Sequence, residues 1–89
     1  MRAIVTVVGR DRVGIIAEVS ALLSEASINI LDITQTVLQE YFTMAMLVNI
    51  EACELPFAEL KDRLDEKGRA MGMSVRIQRE DIFEAMHRI

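Results

Sequence analysis

The order in which the hydrophobic periodicity changes along the chain is the feature that most constrains its fold. Apolar, β-branched residues dominate the first stretch, as in a buried strand, and apolar positions spaced three and four residues apart follow, as on one face of a helix. Alternating strand patterns then precede and follow a second helical pattern. The segments so predicted are residues 2–8, 15–26, 29–38, 42–50, 57–71 and 74–79.

This β-α-β-β-α-β order predicts an α+β fold of the ferredoxin-like type. A four-stranded antiparallel sheet carries two helices on one face, with the first and third strands in its centre. Those two strands are the ones with apolar residues on both faces, so hydrophobic pattern and topology agree. In the second strand, alternation predicts Leu31, Ile33 and Val37 on one face. The short connection at residues 39–41 predicts a hairpin between the second and third strands.

The chain has 89 residues, and we interpret residues 1–89 as a single domain. Its core spans residues 2–79, and residues 80–89 form a C-terminal extension. Apolar residues at helical spacing predict a short C-terminal helix there that packs on its own domain or on a second subunit. These residues are Ile82, Phe83, Met86 and Ile89.

Composition excludes several classes of function. The formal net charge is -4 and no basic run occurs, so we expect no nucleic-acid or membrane partner. The apolar stretch near Met1 is too short for a signal sequence or a membrane span, and Cys53 is the only cysteine, so we expect a cytoplasmic protein. With His87 as the only histidine, the sequence indicates no metal site, no cofactor and no catalytic activity.

A turn at residues 9–14, sequence GRDRVG, joins the first strand to the first helix. Asp11 can cap the helix, and Gly14 allows a ligand to approach the backbone closely. Taken alone, such a turn is typical of an ordinary capped helix start. We expect it to lie beside Ser27, Ile28 and Asn29, where the helix returns to the sheet.

The stretch VVGRDRVGIIAEVSALLSEASINILDITQ, residues 7–35, resembles the ACT domain, a regulatory module that binds small molecules. The whole chain is similar to standalone bacterial and archaeal ACT proteins that have no catalytic domain. The resemblance implies a homodimer that binds a small molecule, a free amino acid above all, near the interface between the copies. It also implies a partner in the form of another metabolic enzyme or regulator.

The resemblance further implies a ligand site made from the turn and from the start of the second strand. Asn29 can come from the neighbouring subunit. Backbone N–H groups of the turn suit a carboxylate, Asp11 suits an ammonium group, and the Asn29 amide both donates and accepts hydrogen bonds. The ligand-binding residues carried over by position are Gly9, Asp11, Arg12, Val13, Gly14, Asn29 and Ile30.

Three alternatives remain open. Acylphosphatases share the fold, and Arg10 or Arg12 together with Asn29 could hold a phosphate in the same way, although the turn lacks that family's sequence. An RNA-binding sheet requires aromatic residues on its central strands, where only Phe42 is available. A purely structural protein-interaction module is the third alternative.

Overall fold

The computed structural model describes residues 1–10 and 13–81. The predicted C-terminal helix therefore lies outside the described residues from position 82 onward, as do Asp11 and Arg12. The elements are β1 (Arg2–Arg10), α1 (Ile15–Glu25), β2 (Asn29–Leu38), β3 (Tyr41–Asn49), α2 (Phe57–Met71) and β4 (Ser74–Arg79).

The sheet has the order β2-β3-β1-β4 with antiparallel neighbours throughout, which confirms the predicted ferredoxin-like topology. Strand β1 runs two residues beyond its predicted end, because Gly9 and Arg10 continue the pairing with β3. The hairpin between β2 and β3 turns at residues 39–40 alone. Each predicted boundary of the hairpin thus holds to within one residue.

Strands β1 and β2 run in the same direction, because both are antiparallel to β3. At one end of the strands, which we call the turn end, Arg10 and Leu38 both lie opposite Tyr41. At the other, the Asn29 end, Arg2 and Asn29 both lie opposite Asn49. The start of β2 and the turn after β1 therefore lie at opposite ends of the sheet.

The hydrophobic core lies between the sheet and the two helices. Helix α1 buries Ile15, Val19 and Leu23, and α2 buries its own apolar stripe. The central strands alternate buried and more exposed residues along their length. The buried strand residues are Ala3, Val5, Val7, Phe42, Met44, Met46, Val48, Val75 and Ile77.

A β-bulge between Ile30 and Asp32 changes the side of the sheet on which the first residues of β2 lie. Leu31 is the extra residue of the bulge, so it does not continue the alternation of Ile33 and Val37 as the sequence pattern predicted. Ile33 and Val37 lie opposite buried residues of β3, which places them on the helix side of the sheet. The bulge therefore puts Ile30, and not Leu31, on their side.

Strand β2 forms an open edge of the sheet. All residues from Leu31 to Leu38 are exposed. Ile33 is 38% exposed and Val37 is 52% exposed although both face the helix side, so the helices do not cover this strand. A long edge without proline, carrying Asp32 as its only charged residue, is a template for pairing with another strand.

Gly68, on the buried side of α2, lets the helix approach β4 closely. A Cβ atom at this position would lie 2.8 Å from the Met73 carbonyl oxygen and 3.0 Å from the Val75 backbone nitrogen. The Met73 N–H also donates a hydrogen bond of 2.8 Å to the Gly68 carbonyl, which fixes this backbone contact. The glycine is therefore required by packing.

Gly68→Ala is expected to lower the free energy of unfolding by about 1–3 kcal/mol, the usual cost of overpacking. At an exposed helix position the same substitution stabilises by about 1 kcal/mol, so the sign of the change identifies the contact. Urea denaturation measures the change in the free energy of unfolding. Ala70→Gly, at an exposed site in the same helix, measures the intrinsic difference in helix preference between alanine and glycine. A Gly68→Ala variant more stable than the parent would contradict this account of the packing.

Candidate functional site

The turn end presents an open start of helix α1. Gly14 occupies the N-cap position with φ 89° and ψ 3°, a left-handed conformation that favours glycine. No atom of the described part of the chain would lie within 4 Å of a Cβ atom at Gly14, and Val13 beside it is 97% exposed. As a glycine, this N-cap residue gives the helix no side-chain hydrogen bond. The expected cap from Asp11 falls on a residue outside the described part of the chain.

The first turn of α1 offers donors to an anion. The N–H groups of Ile15, Ile16 and Ala17 have no acceptor within the helix, and no acceptor for them is found elsewhere in residues 1–10 and 13–81. The helix dipole adds positive potential at the same place. The arrangement can therefore receive a carboxylate or another small anion.

Asn29 lies far from this helix start within the same chain. Asn29 lies opposite Asn49 of β3, and Gly9 lies opposite Phe42 of the same strand. The two positions on β3 are seven residues apart. At about 3.3 Å per residue, this separates the two halves of the expected site by about 23 Å along the strands. The expectation that the turn lies beside Ser27, Ile28 and Asn29 is thus wrong for a single chain.

Asn29 lines an open cleft of about 520 Å³ at the Asn29 end of the sheet. The cleft lies between the C-terminal end of α1, the start of β2 and the segment that follows β3. Its lining consists of Ser24, Ser27, Ile28, Asn29, Asn49, Glu51 and Ala52. Apart from the buried Ile28, most of these residues are polar and accessible to a ligand.

A short backbone turn orients the acidic side of this cleft. The Glu51 N–H donates a hydrogen bond of 2.9 Å to the Asn49 side-chain oxygen. Ser27 adopts φ 60°, a left-handed conformation, where the chain passes from α1 to β2. The sequence reasoning missed Asn49 and Glu51, although the predicted hairpin register already placed the end of β3 beside the start of β2.

Two of the expected site residues have a packing role. A Cβ atom at Gly9 would lie 2.9 Å from the terminal methyl carbon of Met73, so a side chain there would displace that methionine. Ile30 is partly buried and packs against the hydrophobic core, beside Asn29 in the chain. Ile30 therefore anchors the start of β2 on the core.

Two alternative functions lose their structural basis. Arg10 lies at the turn end and Asn29 at the opposite end, so one chain cannot bring them to the same phosphate. Phe42, the aromatic residue on which RNA stacking depended, is 4% exposed and belongs to the core. Among the described residues, no three potential metal ligands cluster, and no helix has the length and apolar character needed to cross a membrane.

The topology, the open helix start and the Asn29 cleft can be compared with known proteins. The ACT domain family matches residues 2–78. The chain belongs to the ACT domain family. This ACT domain is 54% identical to a UPF0237 protein of Clostridium acetobutylicum over the whole length of both chains. The similarity to a standalone protein over its full length confirms the resemblance seen in residues 7–35.

Solved structures share the fold. An ACT domain protein from Streptococcus pneumoniae is 44% identical, with a TM-score of 0.83 over 98% of both chains. A protein assigned as a glycine cleavage system transcriptional repressor is 26% identical, with a TM-score of 0.74 over 88% of this chain and 44% of its own. The same fold thus makes up nearly all of the first protein and less than half of the second.

Proposed function

We propose that this ACT domain is a regulatory module that binds a small molecule, a free amino acid, between two copies of the chain. The observation that carries the proposal is the separation of the open helix start from the Asn29 cleft at opposite ends of one sheet. Either half alone is incomplete as an amino-acid site. A second copy can supply the missing half.

The exposed edge of β2 is the surface through which the copies pair. Two β2 strands related by a two-fold axis run antiparallel, as required for a continuous sheet across the interface. If the axis passes near the middle of the strand, the Asn29 end of one copy comes beside the Leu38 end of the other. Leu38 belongs to the turn end, so Asn29 of the second copy approaches the open start of α1.

This pairing shortens the distance between the two halves. Strand β1, which leads into the turn, is then separated from the second copy's β2 by β3 and β2 of its own sheet. Three strand spacings amount to about 14 Å between backbones, against about 23 Å along the strands within one chain. Side chains and a bound amino acid can span the shorter distance.

The two halves have complementary chemistry for an amino acid. The N–H groups at the start of α1, which have no acceptor among residues 1–10 and 13–81, receive the carboxylate, with Gly14 leaving room for it. The Asn29 amide of the second copy contributes both a donor and an acceptor. Asp11, within the same turn, is assigned the ammonium group, and Arg12 and Val13 supply backbone to the turn.

The comparisons support a regulatory role. Membership of the ACT domain family and similarity to a protein assigned as a transcriptional repressor both favour a module that binds a ligand and acts on another protein. The partner proposed here is a metabolic enzyme or a regulator whose activity responds to the liganded dimer. Catalysis has no place in this proposal.

The experiment that tests ligand binding is a thermal unfolding screen against the free amino acids. At a ligand concentration of a hundred times its dissociation constant, binding is expected to add about 2.7 kcal/mol per site. Gly14→Asn keeps a residue that tolerates a left-handed conformation and fills the space above the helix start, so it is expected to abolish the shift. Asn29→Ala is expected to do the same.

Gly72→Asn is the matched control for Gly14→Asn. Gly72 also has a positive φ, 73°, and open space around a Cβ atom, but it ends α2 and takes no part in the site. Its amino-acid response is expected to equal that of the parent. A parent protein that responds to no amino acid would contradict the proposed function, as would a shift that survives both site substitutions.

A further inference from the structure

The face of the sheet opposite the helices, which we call the outer face, has no covering element among residues 1–10 and 13–81. It consists of the strand side chains that alternate with the buried ones, such as Ile4 of β1 and Leu47 of β3, which lie opposite each other. Both are only partly buried, and Val8 further along β1 is 45% exposed. Apolar side chains are thus left accessible on this face.

A shallow groove of about 210 Å³ lies on the outer face. Ile4 and Leu47 line it, and the small side chain of Ala45 leaves room beside them. Asp32 of β2, which lies opposite Leu47, supplies the only charge of the lining. The groove therefore offers apolar contacts over β1 and β3 and a carboxylate at its β2 side.

The chain leaves β4 on the outer face, at the level of this groove. Gln78 of β4 lies opposite Ile4. Two residues later, Glu80 forms a forked ion pair with Arg2, whose Nε and Nη2 atoms lie 2.5 Å and 2.6 Å from the two carboxylate oxygens. Arg2 belongs to the outer face because its neighbour in β1 is buried on the helix side. The described chain thus ends beside the row that leads from Gln78 to the groove.

We propose that residues 82–89 fold back over the outer face of their own copy and fill this groove. Half of these residues are large and apolar, and their helical spacing places them on one side of a helix. They are Ile82, Phe83, Met86 and Ile89. A helix over residues 82–89 presents this side to the apolar lining of the groove.

The length of the segment matches the width of the sheet. At about 1.5 Å per residue, a helix over residues 82–89 is about 12 Å long. Strand β3 lies two strand spacings from β4, about 10 Å, and β2 lies three spacings away, about 14 Å. The segment therefore covers Ile4 and Leu47. Arg88, near its end, reaches Asp32 with its long side chain and forms an ion pair there.

The same distances favour the chain's own sheet over the sheet of a second copy. In the proposed pairing through β2, β4 is the strand farthest from the interface. The second copy's β3 then lies five strand spacings from β4, about 24 Å, which is twice the length of the helix. The inference requires no ligand, so it stands or falls separately from amino-acid binding.

A nitroxide spin label attached through Glu84→Cys, in a Cys53→Ser background, measures where the segment lies. Glu84 is on the polar side of the predicted helix, so the label leaves the apolar contacts intact. The amide NMR signals of Thr6 and Ala45, which lie opposite each other on the outer face, are expected to lose most of their intensity. Reduction of the nitroxide is expected to restore them.

The matched control is Glu66→Cys in the same background, which places the label on the exposed side of α2. This label is expected to weaken the signal of Ala70, one helical turn away, and to leave the signals of Thr6 and Ala45 unchanged. The Glu84→Cys label is expected to have the opposite effect on these three signals.

A mixed sample separates the chain's own sheet from that of a second copy. It contains spin-labelled chains without isotope label and isotope-labelled chains without spin label, refolded together. Here the signals of Thr6 and Ala45 are expected to keep their full intensity. A loss of intensity in the mixed sample would place the segment on the second copy and contradict the proposal. Full intensity of both signals in the doubly labelled chain would show that the segment does not cover the outer face, which also contradicts it.

Discussion

The double substitution Ile33→Lys and Val37→Lys is expected to separate the proposed dimer into monomers. Both side chains are exposed on the helix side of the β2 edge, where a second copy covers them in the proposed pairing. With the two-fold axis near Gln35, in the middle part of β2, position 33 of each copy lies opposite position 37 of the other, so the introduced ammonium groups meet across the interface as water is removed. Like charges in such positions cost several kcal/mol, so the dimer dissociation constant is expected to rise about a hundred-fold or more.

Sedimentation equilibrium at micromolar concentration measures this change. The parent is expected to be a dimer and the double variant a folded monomer, with a lower unfolding temperature because the stabilisation from association is lost. Ala58→Lys combined with Ala70→Lys adds the same charge at exposed positions of α2 and is expected to leave the dimer intact. A monomeric parent, or a double variant that remains dimeric, would show that β2 is not the interface.

The fold could be predicted from the sequence because its elements differ in hydrophobic period. The doubly apolar strands proved to be the central ones, and the second helix ends at Met71, at the end of its predicted range, with Gly72 as its left-handed cap. The end of β1 was less accurate. Gly9 and Arg10 are weak strand formers, and their inclusion in β1 depends on pairing with β3, which a local pattern does not contain.

The side of the sheet on which each β2 side chain lies could not be predicted from alternation alone. Leu31 fits a period of two with Ile33, but the bulge inserts it as an extra residue and moves Ile30 to the helix side. The same bulge shifts the hairpin register so that Asn29 lies opposite Asn49. A bulge of this kind depends on backbone geometry at the sheet edge, so the sequence pattern does not reveal it.

The placement of Asn29 relative to the turn was predictable, and the initial expectation about it was wrong. In a β-α-β unit whose strands run the same way, the helix carries the chain back to the starting end of the sheet. The start of β2 must then lie away from the turn after β1, as it does here. The cleft itself was harder to predict, because Glu51 reaches it from a connection without regular structure.

The central claim is that one ligand site combines the open helix start of one copy with Asn29 of the other. Each of the two variants Gly14→Asn and Asn29→Ala disables both sites of its own dimer. A mixed dimer joins the intact turn of the Asn29→Ala chain to the intact Asn29 of the Gly14→Asn chain. One complete site therefore forms in each mixed dimer, and the other site in it carries both substitutions.

The most direct measurement is the number of binding sites in an equal mixture of the two variants, unfolded and refolded together, by titration with the amino acid that stabilises the parent. Random pairing makes half of the dimers mixed, so about a quarter of the parent's sites is expected to return at the parent's affinity. Each variant refolded alone is expected to bind nothing. Mixed dimers that form, as native mass spectrometry can verify, but recover no binding would contradict a site shared between two chains.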